Sequence, residues 1–297
     1  MKESLSKFTI KNTSELLAIR SGGFGNPRIG ADLSKYIKYS LTKNTGVVEH
    51  IGSDHVYCQT NQLFYLVENI NEFDIDNETS VLLVGGSDGK LSKHSILSNF
   101  IRLRKYFNKI YFEGKNVECN FVSILPNCLN KKYMTKNNCK KIVNIINNPI
   151  KKTKLIGTAF GAFSKRQNSF NKNRVHLRKI CDEFNLIENF YCDWKEYWER
   201  LSEYQFFVSP EGIGNQCTKM YEAILTNTIV IAMNTFANYE LKSKYNFPIL
   251  LVNSWNDINE TMLLHALDGE FKNYDWTSTK QLFTINGFSK QILKCNI

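Results

Sequence analysis

Short apolar runs, bounded by Gly, Asn or Pro, alternate with longer amphipathic stretches through most of the chain. No other feature constrains the fold as much. Strands alternating with helices of roughly 10–15 residues bury their apolar faces as parallel sheets covered by helices. In the first half, Ser80 to Val84 is an apolar run closed by Gly85 and Gly86, and predicts a buried strand. Ser92 to Phe107 then sets Ile96, Phe100, Leu103 and Phe107 on one helical face. Val47 to Ile51 and Asn120 to Leu125 predict further strands, and Met134 to Asn147 a helix with Ile142, Val143, Ile145 and Ile146 turned inward. Asn147, Asn148 and Pro149 stop that helix, and a basic stretch from Lys151 to Lys154 follows. Residues 1–150 and 151–297 are therefore expected to be two α/β units of similar size.

The second half repeats the rhythm. Strands are expected over Leu155 to Phe160, Leu186 to Tyr191, Phe206 to Ser209, Thr228 to Ala232 and Ile249 to Val252. Helices are expected over Asn173 to Phe184, Trp194 to Tyr204, Asn215 to Leu225 and Asp257 to Leu267, with a weakly helical tail from Thr277 to Lys294. The 42% hydrophobic content of the 297 residues is ample for two cores, and 22% charged residues is ordinary for a folded chain.

The net charge of +10 attracts anions: nucleic acid, an anionic membrane or phosphorylated small molecules. Lys and Arg are scattered, and the chain carries no nucleic-acid reader motif, so a nucleic-acid partner is not expected. The eight cysteines form no C-x-x-C pair or zinc frame, which points to reduced thiols. Met1 to Arg20 lacks the apolar core of a secretory leader, and no run approaches the roughly 18 residues of a membrane span. The expectation is a cytoplasmic protein with no membrane span, peripheral association remaining open.

The chemistry concentrates between Phe206 and Met233. A buried strand ends in Ser209, Pro210, Glu211, Gly212, Ile213 and Gly214, and a helix follows. Ligands of open α/β sheets bind beyond the carboxyl ends of strands, where helix N-termini offer unpaired N–H groups to phosphate. Gly212 and Gly214 permit close backbone approach but lack the third glycine of a dinucleotide fingerprint. Gln216, Lys219 and Glu222 lie three apart and share a helix face. Lys219 suits a diphosphate and Glu222 the hydroxyls of a ribose; the same two residues also read as an exposed ion pair. Glu211 suits either a hydrogen bond to a donor or a place beside the next helix N-terminus. Arg174, Ser164 and Lys165 are candidates to reach phosphates from the neighbouring strand end.

This run resembles the C-terminal signature of exostosin-like glycosyltransferases, S-P-E-G-x-G-x-D-x-x-R-x-W-E-A-L-x-x-G-x-I-P-I. Ser209, Pro210, Glu211, Gly212, Gly214, Glu222, Ala223 and Ile229 match it. Trp194 to Leu201, Tyr204 to Ser209 and the Asn173–Arg174 pair resemble the family's lead-in, and Phe247 to Val252 with Trp255 to Ile258 its downstream element. More weakly, Val84 to Gly89 and Phe121 to Leu129 resemble first-half elements of related proteins, so the likeness covers about residues 80–265.

The resemblance implies the GT-B plan: two Rossmann-like parallel-sheet domains facing across a cleft. It implies a UDP- or GDP-sugar donor in the C-terminal domain and a glycan or glycoprotein acceptor in the N-terminal one. It further implies inversion at the sugar carbon and no metal. The required general base is expected on the N-terminal side, where Asp88 leads and Asp54 and His55 come next. The literal D-x-D segment, Asp74 to Asp76, reads as a solvated acidic patch. The departures that bear on the site are Gln216 for the family Asp, Lys219 for Arg and Tyr221 for Trp, and the G-x-I-P element reads Asn227, Thr228, Ile229, Val230. Gln216 and Asn227 motivate an alternative, an inactive module of the same fold that binds carbohydrate or serves as a scaffold.

Overall fold

A computed structural model of the chain describes residues 9–10, 36–43, 46–86, 89–129, 139–160, 172–183, 185–193, 196–211 and 215–294. Two five-stranded sheets organise them, one in each half of the chain.

The first sheet has the order β1-β2-β3-β4-β5: β1 Ile37–Thr42, β2 Gly46–Gln59, β3 Val81–Gly85, β4 Lys109–Phe112 and β5 Val122–Ile124. β1 pairs antiparallel with the first arm of β2, its register against the second arm (Tyr39 with Val56, Ser40 with Tyr57, Leu41 with Cys58) rises in the same direction, and the β2-β3, β3-β4 and β4-β5 pairs are parallel. Leu41 partners both Val47 and Cys58, so β1 lies between the two arms of the long β2. Both faces of the parallel strands are covered, which is why β3 is buried at every position instead of alternating with polar residues. The pleat nevertheless sorts side chains by parity. Val56, Cys58, Leu82, Val84, Ile110 and Phe112 pack outward under α1 (Leu63–Glu68) and α2 (His94–Leu103). Tyr57, Leu83 and Tyr111 point the other way, into a core shared with the second half of the chain.

The second sheet is wholly parallel, in the order β10-β9-β8-β6-β7: β6 Lys154–Thr158, β7 Glu188–Asn189, β8 Tyr204–Val208, β9 Ile229–Met233 and β10 Ile249–Val252. From β6 the chain steps to β7 on one side, then returns to place β8 on the other. β6 and β8 thus flank a topological switch point, the position where open α/β sheets leave a crevice beyond their carboxyl ends. The close approach of these two strands depends on Gly157, where an added Cβ would stand 2.7 Å from the Tyr204 ring.

Helices α3 (Cys139–Asn147), α4 (Lys172–Glu183), α5 (Tyr197–Ser202), α6 (Thr218–Leu225), α7 (Phe236–Tyr245) and α8 (Glu260–Asp268) complete the two layers. α6 contributes Met220, Tyr221, Ala223, Ile224 and Leu225 to the shared core. The tail, α9 (Trp276–Gln281), α10 (Ile285–Phe288) and a π turn over Ser289–Leu293, crosses back to the first half. Lys280 Nζ donates to the Ile146 carbonyl at 2.9 Å and Tyr36 Oη to Asn286 Oδ1 at 3.4 Å. Leu282, Phe283, Phe288, Ile292 and Leu293 fill the shared core. The expected division at residue 150 therefore describes the sheets but not the tail, which is built into both halves.

Two element boundaries differ from expectation in ways that matter below. The strand expected over Val47 to Ile51 is only the first arm of β2, which continues to Gln59. The helix expected from Asn215 begins at Thr218, because Asn215 and Gln216 spend their side chains on the first half and Cys217 is extended, with φ −115° and ψ 128°. Among the described residues no helix is long and apolar enough to cross a membrane.

Candidate functional site at the switch between β6 and β8

The carboxyl ends of β6 and β8 carry Ala159, Ser209 and Glu211, and α4 and α6 begin beside them. Thr158 Oγ1 donates to the Val208 carbonyl at 2.7 Å and the Ser209 N–H to the Ile231 carbonyl at 2.9 Å, so the strand ends are held in register to their last residue. Arg174, in the first turn of α4, donates from Nε to the Glu211 carbonyl at 2.7 Å. The preceding carbonyl, of Asn173, accepts from Trp255 Nε1 at 2.9 Å, which fastens the start of α4 to the end of β10. Ser209 is buried, and among the described residues its hydroxyl has no hydrogen-bond partner.

Lys219, in the first turn of α6, reaches the Ala159 carbonyl at the end of β6, and its ammonium lies 5.3 Å from the centre of the Tyr197 ring. Glu222, one turn further along, is 3% exposed. Burial raises its pKa above the ordinary carboxylate range; the Lys219 charge and the neighbouring Tyr197 hydroxyl oppose that rise. Tyr197 Oη faces this carboxyl without completing a hydrogen bond of normal geometry. Lys219 and Glu222 are thus not the solvated surface pair that their spacing also allows. The cation stands at the strand ends and the carboxyl is enclosed beneath it. Glu211 is likewise raised by burial, with the Lys90 charge and the Thr235 hydroxyl acting against it. Lys90 belongs to the segment after β3, so this ionic relationship spans the two halves of the chain.

The opening turn before α6 is a domain junction. Gln216 is 3% exposed. Its Nε2 donates to the carbonyls of Glu113 at 2.8 Å and Leu125 at 2.9 Å, and its Oε1 accepts from the Asn127 N–H at 2.9 Å and from the Tyr221 hydroxyl. Asn215 Nδ2 donates to the Gly114 carbonyl at 3.1 Å. Phosphate is expected against the opening turn of a helix beginning at Asn215; instead the helix begins at Thr218, and the Asn215 and Gln216 side chains are sealed against the ends of β4 and β5. Among the described residues, Lys219 and Arg174 are cations of this half at the switch point.

Two further expectations need correction. Asp54 and His55 do not follow a strand at the cleft; they lie within β2, level with the start of β3. The ends of β3 and β4 that meet the second half, near Lys90 and Gly114, are at the opposite edge of the sheet. Asp54 is exposed there. His55 is buried, accepts the Val81 N–H on Nδ1 at 3.3 Å, and has its pKa lowered chiefly by burial. Asp88, Ser164, Lys165, Gly212 and Gly214 lie outside the described residues.

Sequence reasoning missed Lys90, Tyr197 and Thr235. Lys90 sits two residues beyond the Asp88 that was singled out, and its only signal was a cation after a strand-ending glycine pair. Among the described residues no group of three His, Cys, Asp or Glu side chains gathers as a metal-ligand set. Compared with known proteins, the chain matches no family model and no curated sequence.

Proposed function

We propose that the chain is a glycosyltransferase of the GT-B type. It moves a sugar from a UDP- or GDP-sugar to a hydroxyl of a glycan or glycoconjugate, with inversion and without a metal. The observation that carries this reading is a coincidence of topology and motif. The β6/β8 switch point, the predicted ligand position of a sheet with this order, is bordered by the same Ser209–Glu222 run that resembles a donor-binding signature.

In this reading the diphosphate lies beyond the ends of β6 and β8, opposite Lys219 and Arg174. The acceptor oxygen attacks the anomeric carbon as the bond from that carbon to the diphosphate oxygen breaks. Lys219 and Arg174 offset the charge that develops on the leaving diphosphate. A base from the first half takes the proton of the acceptor hydroxyl, and Asp88 is the candidate by its position after β3. The Lys90 charge, from the first half, favours the ionised form of Glu211 across the cleft. Glu222 acts from below, through Lys219 and Tyr197.

The two departures that favour an inactive module have structural reasons. Gln216 must donate twice and accept twice, which an Asp carboxylate cannot do. Asn227, at the family's glycine, adopts φ 58°, a left-handed conformation that Asn tolerates better than other side chains except glycine. Neither change touches the cations at the switch point.

The test is a thermal-shift screen of the purified chain against UDP-, GDP- and CMP-sugars, followed by nucleoside diphosphate release with and without EDTA. A ligand that binds the native state raises the melting temperature by mass action. A shift with one donor class, and EDTA-resistant release, is the expected result. No shift with any nucleotide sugar, or a strict need for Mn²⁺, overturns the proposal.

A further inference from the structure

At the far end of the first sheet, away from the switch point, a pocket of about 320 Å³ opens beside the amino ends of β4 and β5. Three cations from three different elements line it: Arg104 after α2, Lys109 at the start of β4, and Lys244 near the end of α7. No acidic side chain lines it among the described residues. Lys294, from the tail, contacts Lys109, and that contact, burial, and the charges of Lys294 and Lys244 together hold Lys109 below the ordinary lysine range. Glu240 is the carboxylate that acts on Lys244, but it is already committed, to Lys115 Nζ at 2.9 Å and the Ile124 N–H at 3.2 Å.

The cations are also held in place. The Arg104 guanidinium lies 5.7 Å from the centre of the Phe121 ring and the Lys244 ammonium 5.2 Å from that of Tyr111. Such contacts fix a long side chain without neutralising it. Asn120 and Ser123 add neutral hydrogen-bonding groups to the same wall. Like charges gathered with no acidic side chain on the pocket wall repel, and an oxyanion between them removes the repulsion while accepting several charge-assisted hydrogen bonds.

We propose that this pocket is a binding site for a phosphate-bearing ligand, distinct from the cleft at the β6/β8 switch point. The headgroup of an anionic lipid and a soluble phosphate or diphosphate present the same chemistry to Arg104, Lys109 and Lys244. The +10 net charge of the chain draws either one in.

The experiment uses the full chain carrying Lys219→Ala, so that binding at the switch point does not contribute, and titrates inorganic pyrophosphate by calorimetry. One equivalent is expected to bind. Arg104→Gln with Lys244→Gln, both at exposed positions, should weaken it about tenfold or more, the scale of losing charged hydrogen bonds. Asn120→Asp, also exposed, should weaken it by adding an anion to the wall while sparing every cation. Vesicles of phosphatidic acid in phosphatidylcholine, but not phosphatidylcholine alone, should sediment the protein if the source is lipid, and the same variants should release it. Retained sedimentation below saturation by pyrophosphate marks the lipid source, and pyrophosphate binding with no sedimentation the soluble one. Equal pyrophosphate affinity in all variants, no binding at all, or preferential binding to polynucleotide that the variants leave unchanged overturns the proposal.

Discussion

Gln216 accepts the backbone N–H of Asn127 at 2.9 Å, across 89 positions of sequence, and returns its own amide to the carbonyls of Glu113 and Leu125. One side chain thereby closes three backbone groups at the ends of β4 and β5. Gln216→Glu keeps the shape but removes both donors and buries a charge beside two carbonyls. It should cost roughly 3 kcal/mol or more, since breaking a buried polar arrangement from one side leaves the remaining groups uncompensated. Urea denaturation of the two proteins measures this. Gln216→Asp, which restores the family carboxylate, should also destabilise and should bring no gain in donor turnover. An unchanged unfolding midpoint in Gln216→Glu contradicts the junction described above.

Asn227 offers a second check on the same stretch. It ends the turn after α6 with φ 58°, and its side-chain oxygen is buried without a partner among the described residues. Glycine suits the backbone and removes the orphaned oxygen, so Asn227→Gly should be neutral or stabilising, within about 1 kcal/mol. Asn227→Val should cost about 1–2 kcal/mol, because a β-branched side chain meets the following carbonyl in the left-handed region. Thermal unfolding of the pair distinguishes backbone strain from a role in ligand binding. If both variants unfold like the parent but lose donor binding, the residue belongs to the site.

The second sheet was legible in the sequence because each of its longer strands is an apolar run bounded by turn residues. Ile249–Val252 appears where it was expected, and β6, β8 and β9 are displaced by only a residue or two. β1 and β4 were not legible. Ile37–Thr42 mixes polar and apolar residues and is specified by its two contacts with β2, while Lys109–Phe112 is too short to show a period. At the candidate site the order of the motif was readable but the burial was not. Gln216 and Glu222 have the composition of ligand-facing residues, and only the partners brought by folding, Glu113, Leu125, Asn127 and Tyr197, enclose them. Asp54 and His55 failed for a similar reason. The apolar run alone ends their strand at Ile51, whereas pairing with β3 carries it to Gln59.

Lys219 is the cation that the proposed chemistry uses most directly. It reaches the Ala159 carbonyl, and a bound diphosphate offers it a far stronger acceptor at the same strand end. Lys219→Ala should lower kcat/KM about 100-fold, in the range seen when one preorganised donor to a developing anion is removed. Lys219→Arg keeps the charge and matches the family residue, and should stay within about tenfold of the parent. Steady-state kinetics with the donor found by thermal shift provide the measurement. The fold should tolerate both changes, because the Lys219 side chain is only partly buried. Equal activity in the alanine variant removes Lys219 from the leaving-group role.

Lys152 ties the base of the second half together and gives a prediction in pH. Its Nζ reaches the Ser202 carbonyl at 2.9 Å, the Thr226 carbonyl at 2.7 Å and Thr228 Oγ1 at 2.7 Å. Burial, with the Lys280 charge nearby, pushes it down from the usual 10.5 to about 7. In the unfolded chain it therefore holds its proton up to about pH 10, while the folded chain releases it near 7. Between those limits the unfolded state binds more protons, so stability rises with pH. Lys152→Met removes the titrating group and should flatten that rise, which the difference between the two proteins isolates. It also leaves two carbonyls and a hydroxyl without their shared donor, and should lower stability by about 2–4 kcal/mol. Urea denaturation at pH 6.5, 7.5 and 9, values chosen to bracket the folded-state titration of about 7, reads both effects. A parent whose stability relative to Lys152→Met does not grow across that range has its ammonium retained by the three acceptors, and the release of a proton on folding is then excluded.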